Sequence, residues 1–229
     1  AGTALGNLII GKTGNSSTIN INSPIAVSDD ISIYSGELTV NNNITSNNSG
    51  SDVLFNSSNI TLNAPITSSG ISTVTINSSG NVIDGINGSF VGKIISTNLL
   101  LTGNGNFNLD STTNNVSIIS AGSNASRLGS LNFTNSNALV VGSVGSNSGI
   151  YTTGTIAIST LTGDLSVSQN INTQNTSTTA LILNASQSTA AGVSSGGDLK
   201  FSGGASITIG ANASCLLYTS DAADEWLRG

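Results

Sequence analysis

A short phrase recurs in this chain at a spacing near twenty residues, and no other feature constrains the fold as strongly. Between Ser17 and Gly80 it reads Ile19-Asn20-Ile21-Asn22-Ser23-Pro24-Ile25, then Leu38-Thr39-Val40-Asn41-Asn42-Asn43-Ile44, then Ile60-Thr61-Leu62-Asn63-Ala64-Pro65-Ile66. A second phrase lies between these as Ile31-Ser32-Ile33, Val53-Leu54-Phe55 and Val74-Thr75-Ile76. Both return at nearly the same interval, and a fixed period in this range marks a stack of repeated supersecondary units. Inside each phrase apolar and polar residues alternate, which puts Ile19, Ile21, Leu38, Val40, Ile60 and Leu62 on the inner face of strands. Pro24 and Pro65, the two prolines, fall on the same slot of the phrase. At a corner between strands that slot needs no ladder donor.

The composition agrees with stacking. Charged residues make up 7% of the chain and hydrophobic residues 37%. Equivalent side chains of stacked coils lie about 4.8 Å apart, where like charges repel by roughly 1 kcal/mol even in water. Asn, Ser and Thr can instead stack in register and hydrogen-bond along the stack. The net charge of −6 argues against a nucleic-acid partner, which needs a basic stripe. No apolar run approaches the length of a membrane span. The chain begins at Ala1 in mid-pattern, so the N-terminus of the parent protein is expected to lie upstream.

Beyond residue 81 the repeat loosens. The family Val53, Val74, Ile95, Val116, Leu139, Ile158, Leu181 continues it at steps near twenty, and the opening phrase returns at Leu165-Ser166-Val167-Ser168-Gln169-Asn170-Ile171. No segment shows helical spacing. The expected fold is all-β: a right-handed parallel β-helix, or β-solenoid, over residues 1–214. A period of about 21 residues gives it about ten coils. One coil cannot stand alone. Burying about five aliphatic side chains contributes about 10 kcal/mol, while ordering about 21 residues costs more than about 20 kcal/mol, so coils must stabilise one another. Phe55, Phe133 and Phe201 are expected in the core.

Residues 215–229 break the pattern. They hold the only Cys and the only Trp, Cys215 and Trp226. The run Cys215-Leu216-Leu217-Tyr218-Thr219-Ser220-Asp221-Ala222-Ala223-Asp224-Glu225 resembles the in-frame translation of a transposon-end sequencing adapter. The expectation is therefore a non-native tail that carries no function.

The phrases Gly163-Asp164-Leu165-Ser166-Val167, Ser35-Gly36-Glu37-Leu38-Thr39-Val40 and Gly197-Asp198-Leu199-Lys200-Phe201 share a Gly-acid-Leu-x-apolar theme. With Ala138-Leu139-Val140-Val141-Gly142, they make residues 5–214 resemble the β-strand-repeat region of bacterial secreted adhesins of the filamentous-haemagglutinin type. Similar phrases occur in autotransporter passenger domains. The resemblance implies a parallel β-helix, a secreted or cell-surface location and an adhesive role. The expected partners are host or environmental glycan or protein ligands and neighbouring coils of the same parent chain. It supplies no catalytic, cofactor-binding or metal residues.

Parallel β-helices also build polysaccharide lyases and hydrolases, whose chemistry needs clustered acids, usually with Lys or Arg. Here Glu37, Asp52, Asp84, Asp110, Asp164 and Asp198 are scattered singly along the chain, and the one pair, Asp29-Asp30, reads as a solvated turn. Asp164 and Asp198 are expected to bond turn amides. With no His, zinc sites and His-based triads are out. Gly196-Gly197-Asp198 is a lone fragment of a calcium-binding nonapeptide. Only Thr73-Val74-Thr75 offers the spacing of an ice-binding face. Tyr34 and Tyr151 are candidate stacking platforms for sugars. The leading reading is a non-enzymatic stalk, and the alternative is a fragment of a carbohydrate-active β-helix enzyme. Convergence of two or more of Asp29, Asp30, Asp52, Asp84 and Asp110 in one groove with a Lys or Arg would favour the enzyme.

Overall fold

Alternation along each phrase is what the backbone turns into structure. In the computed structural model, which describes residues 7–190, 193 and 196–219, the chain is all-β and winds as a parallel β-solenoid of about eight turns, about 23 residues apart. The early turns carry three strands each, for example Ile31–Tyr34, Glu37–Val40 and Ile44–Ser46, followed by Val53–Ser57, Asn59–Leu62 and Pro65–Ser68. Strands of successive turns pair in parallel, forming a nine-stranded sheet and a fifteen-stranded sheet. Among the described residues no helix is long and apolar enough to cross a membrane.

The phrases between Ser17 and Gly80 stack as their spacing predicts. Ile19, Leu38 and Ile60 are partners in the nine-stranded sheet. Ile31, Val53 and Val74 are partners in the other sheet. Ile25, Ile44 and Ile66 form the third column, which puts Pro24 and Pro65 on one level of the same corner. Ile21, Val40 and Leu62 are buried in the core. The apolar columns run from turn to turn as one packed cluster of Ile, Val, Leu and Phe, interrupted in the Ile21–Val40–Leu62 column where Asp84 takes the next rung.

The coil count and the later register differ from the ten shorter coils that the sequence period predicts. One column runs Ile19, Leu38, Ile60, Val82, Phe107, Leu131, Ile156 and Leu181, and its steps lengthen along the chain, from nineteen at the first to twenty-five at the last. Eight turns at about 4.8 Å stack to about 40 Å. Val74 pairs with Leu99 rather than Ile95. Two changes explain the slip. The corner between two strands disappears in Lys93–Thr102, whose first half pairs with Pro65–Ser68 and second half with Thr73–Ser78. In addition, two antiparallel hairpins are inserted into coils, Ile86–Asn87 with Phe90–Val91 and Ser143–Val144 with Asn147–Ser148. Leu165–Val167 repeats the opening phrase in sequence, yet it stacks on Leu139–Val141 in the fifteen-stranded sheet, away from Ile19 and Leu38. Phe55 and Phe133 are fully buried as expected, and so is Phe107, but Phe201 is 46% exposed on a short outer strand.

The two hairpins share one design. Gly85-x6-Gly92 and Gly142-x6-Gly149 each close with a bond from the second glycine's N–H to the first glycine's carbonyl, at 2.8 and 2.9 Å. Each has a two-residue Gly-Ser tip, and Gly88 and Gly145 have φ of 62° and 58°, as a II′ hairpin turn requires of its first central residue. At Gly92 a β-carbon would overlap the Leu62 carbonyl oxygen, so the hairpin stem lies against the turn beneath it.

Cys215–Tyr218 pairs in parallel with Leu181–Asn184 as a strand of the nine-stranded sheet. Cys215 packs on the core, while Leu217 and Tyr218 are exposed. Trp226 lies outside the described residues.

Candidate functional site

Corners of the solenoid hold most of its polar chemistry, because there the backbone leaves the ladder and needs other partners. Asp and Asn supply many of them by reaching one coil onward. The Asp30 and Asp52 carboxylates accept the backbone N–H groups of Asp52 and Thr73, at 2.8 and 2.7 Å. Asn59 accepts from the Asn81 amide at 2.8 Å. Asp164 accepts from the Asp198 amide at 2.9 Å and from Lys200 Nζ. The Asp198 amide, and then the Lys200 ammonium, hold the Asp164 carboxyl below its ordinary value. Asp164 thus bonds a turn amide as its position after Gly163 predicts.

Deeper in the wall, Asn114 and Asn135 are fully buried. Asn114 accepts from the Ile94 N–H at 2.7 Å and donates to the Leu109 and Thr134 carbonyls. Asn135 accepts from the Val116 N–H at 2.9 Å and donates to the carbonyls of Val116, Asn137 and Ala138. On the surface, amide ladders run Asn22–Asn41–Asn63, with 2.9 Å at each step, and Asn108–Asn132, at 2.7 Å.

The acids that are scattered in sequence are not scattered in space. Asp30 sits one coil from Asp52, and Asp84 meets Asp110. Asp84 has the register of a core position, opposite Leu62. Its carboxylate accepts the Ser111 N–H at 2.8 Å. Burial, opposed by that N–H and reinforced by the Asp110 charge beside it, pushes the Asp84 carboxyl up to about 6. The ion pairs found among the described residues are those of Lys200 with Asp164 and Asp198, so neither Asp84 nor Asp110 has a Lys or Arg within ion-pair distance. Among the described residues no group of three His, Cys, Asp or Glu side chains is placed to hold a metal ion, and this includes Asp198 in the calcium-like fragment.

A raised carboxyl has a definite consequence for stability. Between the ordinary aspartate range and about pH 6 the folded chain keeps a proton that the unfolded chain has lost, so stability falls as pH rises through that window. Asp84→Asn keeps an acceptor for the Ser111 amide and removes the charge. It is expected to stabilise the fold by about 1 kcal/mol at pH 8, after the reduction that solvent screening imposes on a half-buried group. The gain should vanish toward pH 4. Thermal unfolding of both proteins across that range checks it, and a gain that does not depend on pH would count against the burial argument.

Tyr151 is half-buried, with the Arg127 guanidinium carbon 5.5 Å from its ring centroid. Arg127 also donates to the Thr152 carbonyl, to the Asn172 carbonyl and side chain, and to Asn124, so this ring is built into the wall.

Tyr34 has a different setting. It lines a cleft of about 600 Å³ at the corner between the two sheets, with Glu37, Asn56, Ser58 and Asn77. Tyr34, Asn56 and Asn77 are successive rungs of one outward-facing column. In the sequence Tyr34 stands out as an exposed aromatic. Asn56 and Asn77 do not, because Asn recurs throughout the chain and only the register picks these two out.

No protein-family model, curated protein or solved structure matches the chain.

Proposed function

We propose that this chain is a structural and adhesive segment of a large secreted or cell-surface bacterial protein, of the filamentous-haemagglutinin-like or autotransporter-like kind. It works as a rigid stalk that offers its sides to glycan or protein ligands, and it catalyses no reaction. The observation that carries the proposal is the stack itself: parallel ladders and a shared apolar core join successive turns. Such a chain resists bending because the backbone hydrogen bonds of its parallel sheets run between coils. The neutral polar surface, with amide ladders in place of charges, suits a long surface-borne array.

The stalk reading is tested by pulling. Single-molecule extension should proceed in steps of whole coils, each about 23 residues and about 80 Å of released chain. Extension without discrete steps would remove the mechanical role.

The alternative of a carbohydrate-active enzyme with its catalytic coils elsewhere in the parent protein gains nothing from this chain; the Asp84–Asp110 pair instead favours catalytic acids within it, and that is the second reading. Against it, neither carboxyl has a Lys or Arg within ion-pair distance among the described residues, whereas such enzymes usually set clustered acids against a basic side chain. Incubation with neutral and uronic-acid polysaccharides should release no new reducing ends and no unsaturated uronate absorbance. Turnover abolished by Asp84→Asn would establish the enzyme instead.

A further inference from the structure

The Tyr34 cleft brings together polar groups that the protein leaves without partners. Some Asn side chains are joined to one another along the stack, as in Asn22–Asn41–Asn63. The side-chain amides of Asn56 and Asn77 and the Tyr34 hydroxyl make no hydrogen bond within the described protein, although the three stand on adjacent rungs of one column. Each amide keeps two donors and an acceptor free, and the phenol keeps one donor and an acceptor. Glu37, exposed on the opposite side, accepts only a 3.5 Å contact from Asn59. The Asn15 amide bonds the Tyr34 carbonyl at 3.1 Å and fixes the loop that closes one end.

We infer that this cleft binds a neutral oligosaccharide laid along the solenoid axis, with one pyranose ring on the Tyr34 face and its successors hydrogen-bonded to Asn56, Asn77 and Glu37. The inference rests on the adhesive reading above and names the site and ligand class for it. Three features select this ligand. The volume of about 600 Å³ lies in the range of small-molecule sites. An aromatic platform beside convergent amides and a carboxylate matches the alternating apolar faces and hydroxyl edges of a sugar. The rungs are about 4.8 Å apart, comparable to the advance of one pyranose along an extended glycan, so one amide meets each unit. The one charged group lining the cleft is Glu37, which disfavours sulfated and uronic-acid chains as well as phosphates.

The test is calorimetric titration of the whole chain with cello-, xylo-, manno- and maltohexaose, with heparin and oligogalacturonate as anionic controls. At least one neutral hexaose should bind, and the anionic probes should not. Tyr34→Ala should weaken that binding about tenfold or more, as should the double change Asn56→Ala with Asn77→Ala. All three side chains point outward, so thermal unfolding should be nearly unchanged. Tyr151→Ala, the aromatic already covered by Arg127, should leave affinity alone. Absence of binding by every neutral hexaose, preference for an anionic probe, or full affinity in Tyr34→Ala would each overturn the assignment. Stepwise coil-by-coil extension is read separately, so the cleft can fail while the stalk stands.

Discussion

Phe133→Ala is expected to destabilise the solenoid by about 3–5 kcal/mol, the cost of truncating a buried aromatic and leaving the space unfilled. Phe133 is fully buried and stacks between Leu109 of the coil before and Ile158 of the coil after. The wall around it is held by parallel ladders on both sides, so it cannot collapse into the void without breaking register. Stability in such an array is a sum of coil and neighbour terms, and Phe133 contributes to two neighbour terms at once. Denaturant unfolding gives the magnitude. Amide exchange should show protection lost first in Asn106–Leu109, Ser130–Asn135 and Ile156–Thr160. A cost below about 1 kcal/mol would mean that the column is not a packed core.

Asn135→Ala should cost about 2–4 kcal/mol, through polarity rather than volume. The fully buried Asn135 side chain satisfies the Val116 N–H and three carbonyls, and a buried group deprived of its partner costs about 1–3 kcal/mol. The exposed neighbour Asn137, whose amide donates to Asn115 at 3.2 Å and to Ser136, supplies the contrast: Asn137→Ala should stay within about 0.5 kcal/mol. Equal effects at the two positions would show that the corner amide is not what holds that turn. The expected difference also explains why the next coils keep a polar group here, with Thr160 in register opposite Asn135 and accepting the Ser186 N–H at 2.9 Å.

Legibility in the sequence follows how local each signal is. Ile21, Val40 and Leu62 point inward because of a two-residue alternation that any strand enforces, and their stacking follows from near-equal spacing. Counting matches Val74 to Ile95 because it assumes coils of constant length, and the hairpin between Gly85 and Gly92 breaks that assumption. Its signal is present, a Gly-Ser pair between short strands, but so short an insertion has no periodicity of its own. The Asp84–Asp110 contact is hidden for the same reason, since the two stand one coil apart in a coil lengthened by that hairpin. The Tyr34 cleft is half-visible: an aromatic stands out in a chain with few of them, whereas an amide without a partner can be told from a laddered one only once its neighbours are placed.

By itself the sequence determined that this chain must stack parallel strands around an aliphatic core with neutral polar residues outside, because alternation fixes faces and repulsion between rungs excludes charge. Only the tertiary structure decided which residue of one turn lies over which residue of the next. Loop length sets that pairing, and lengthening a loop costs entropy only logarithmically, so corners gain or lose residues without disturbing the local pattern of any strand. The positions of Leu99, Asp84, Asn56 and Asn77 depend on those corners, and with them the buried carboxyl and the cleft.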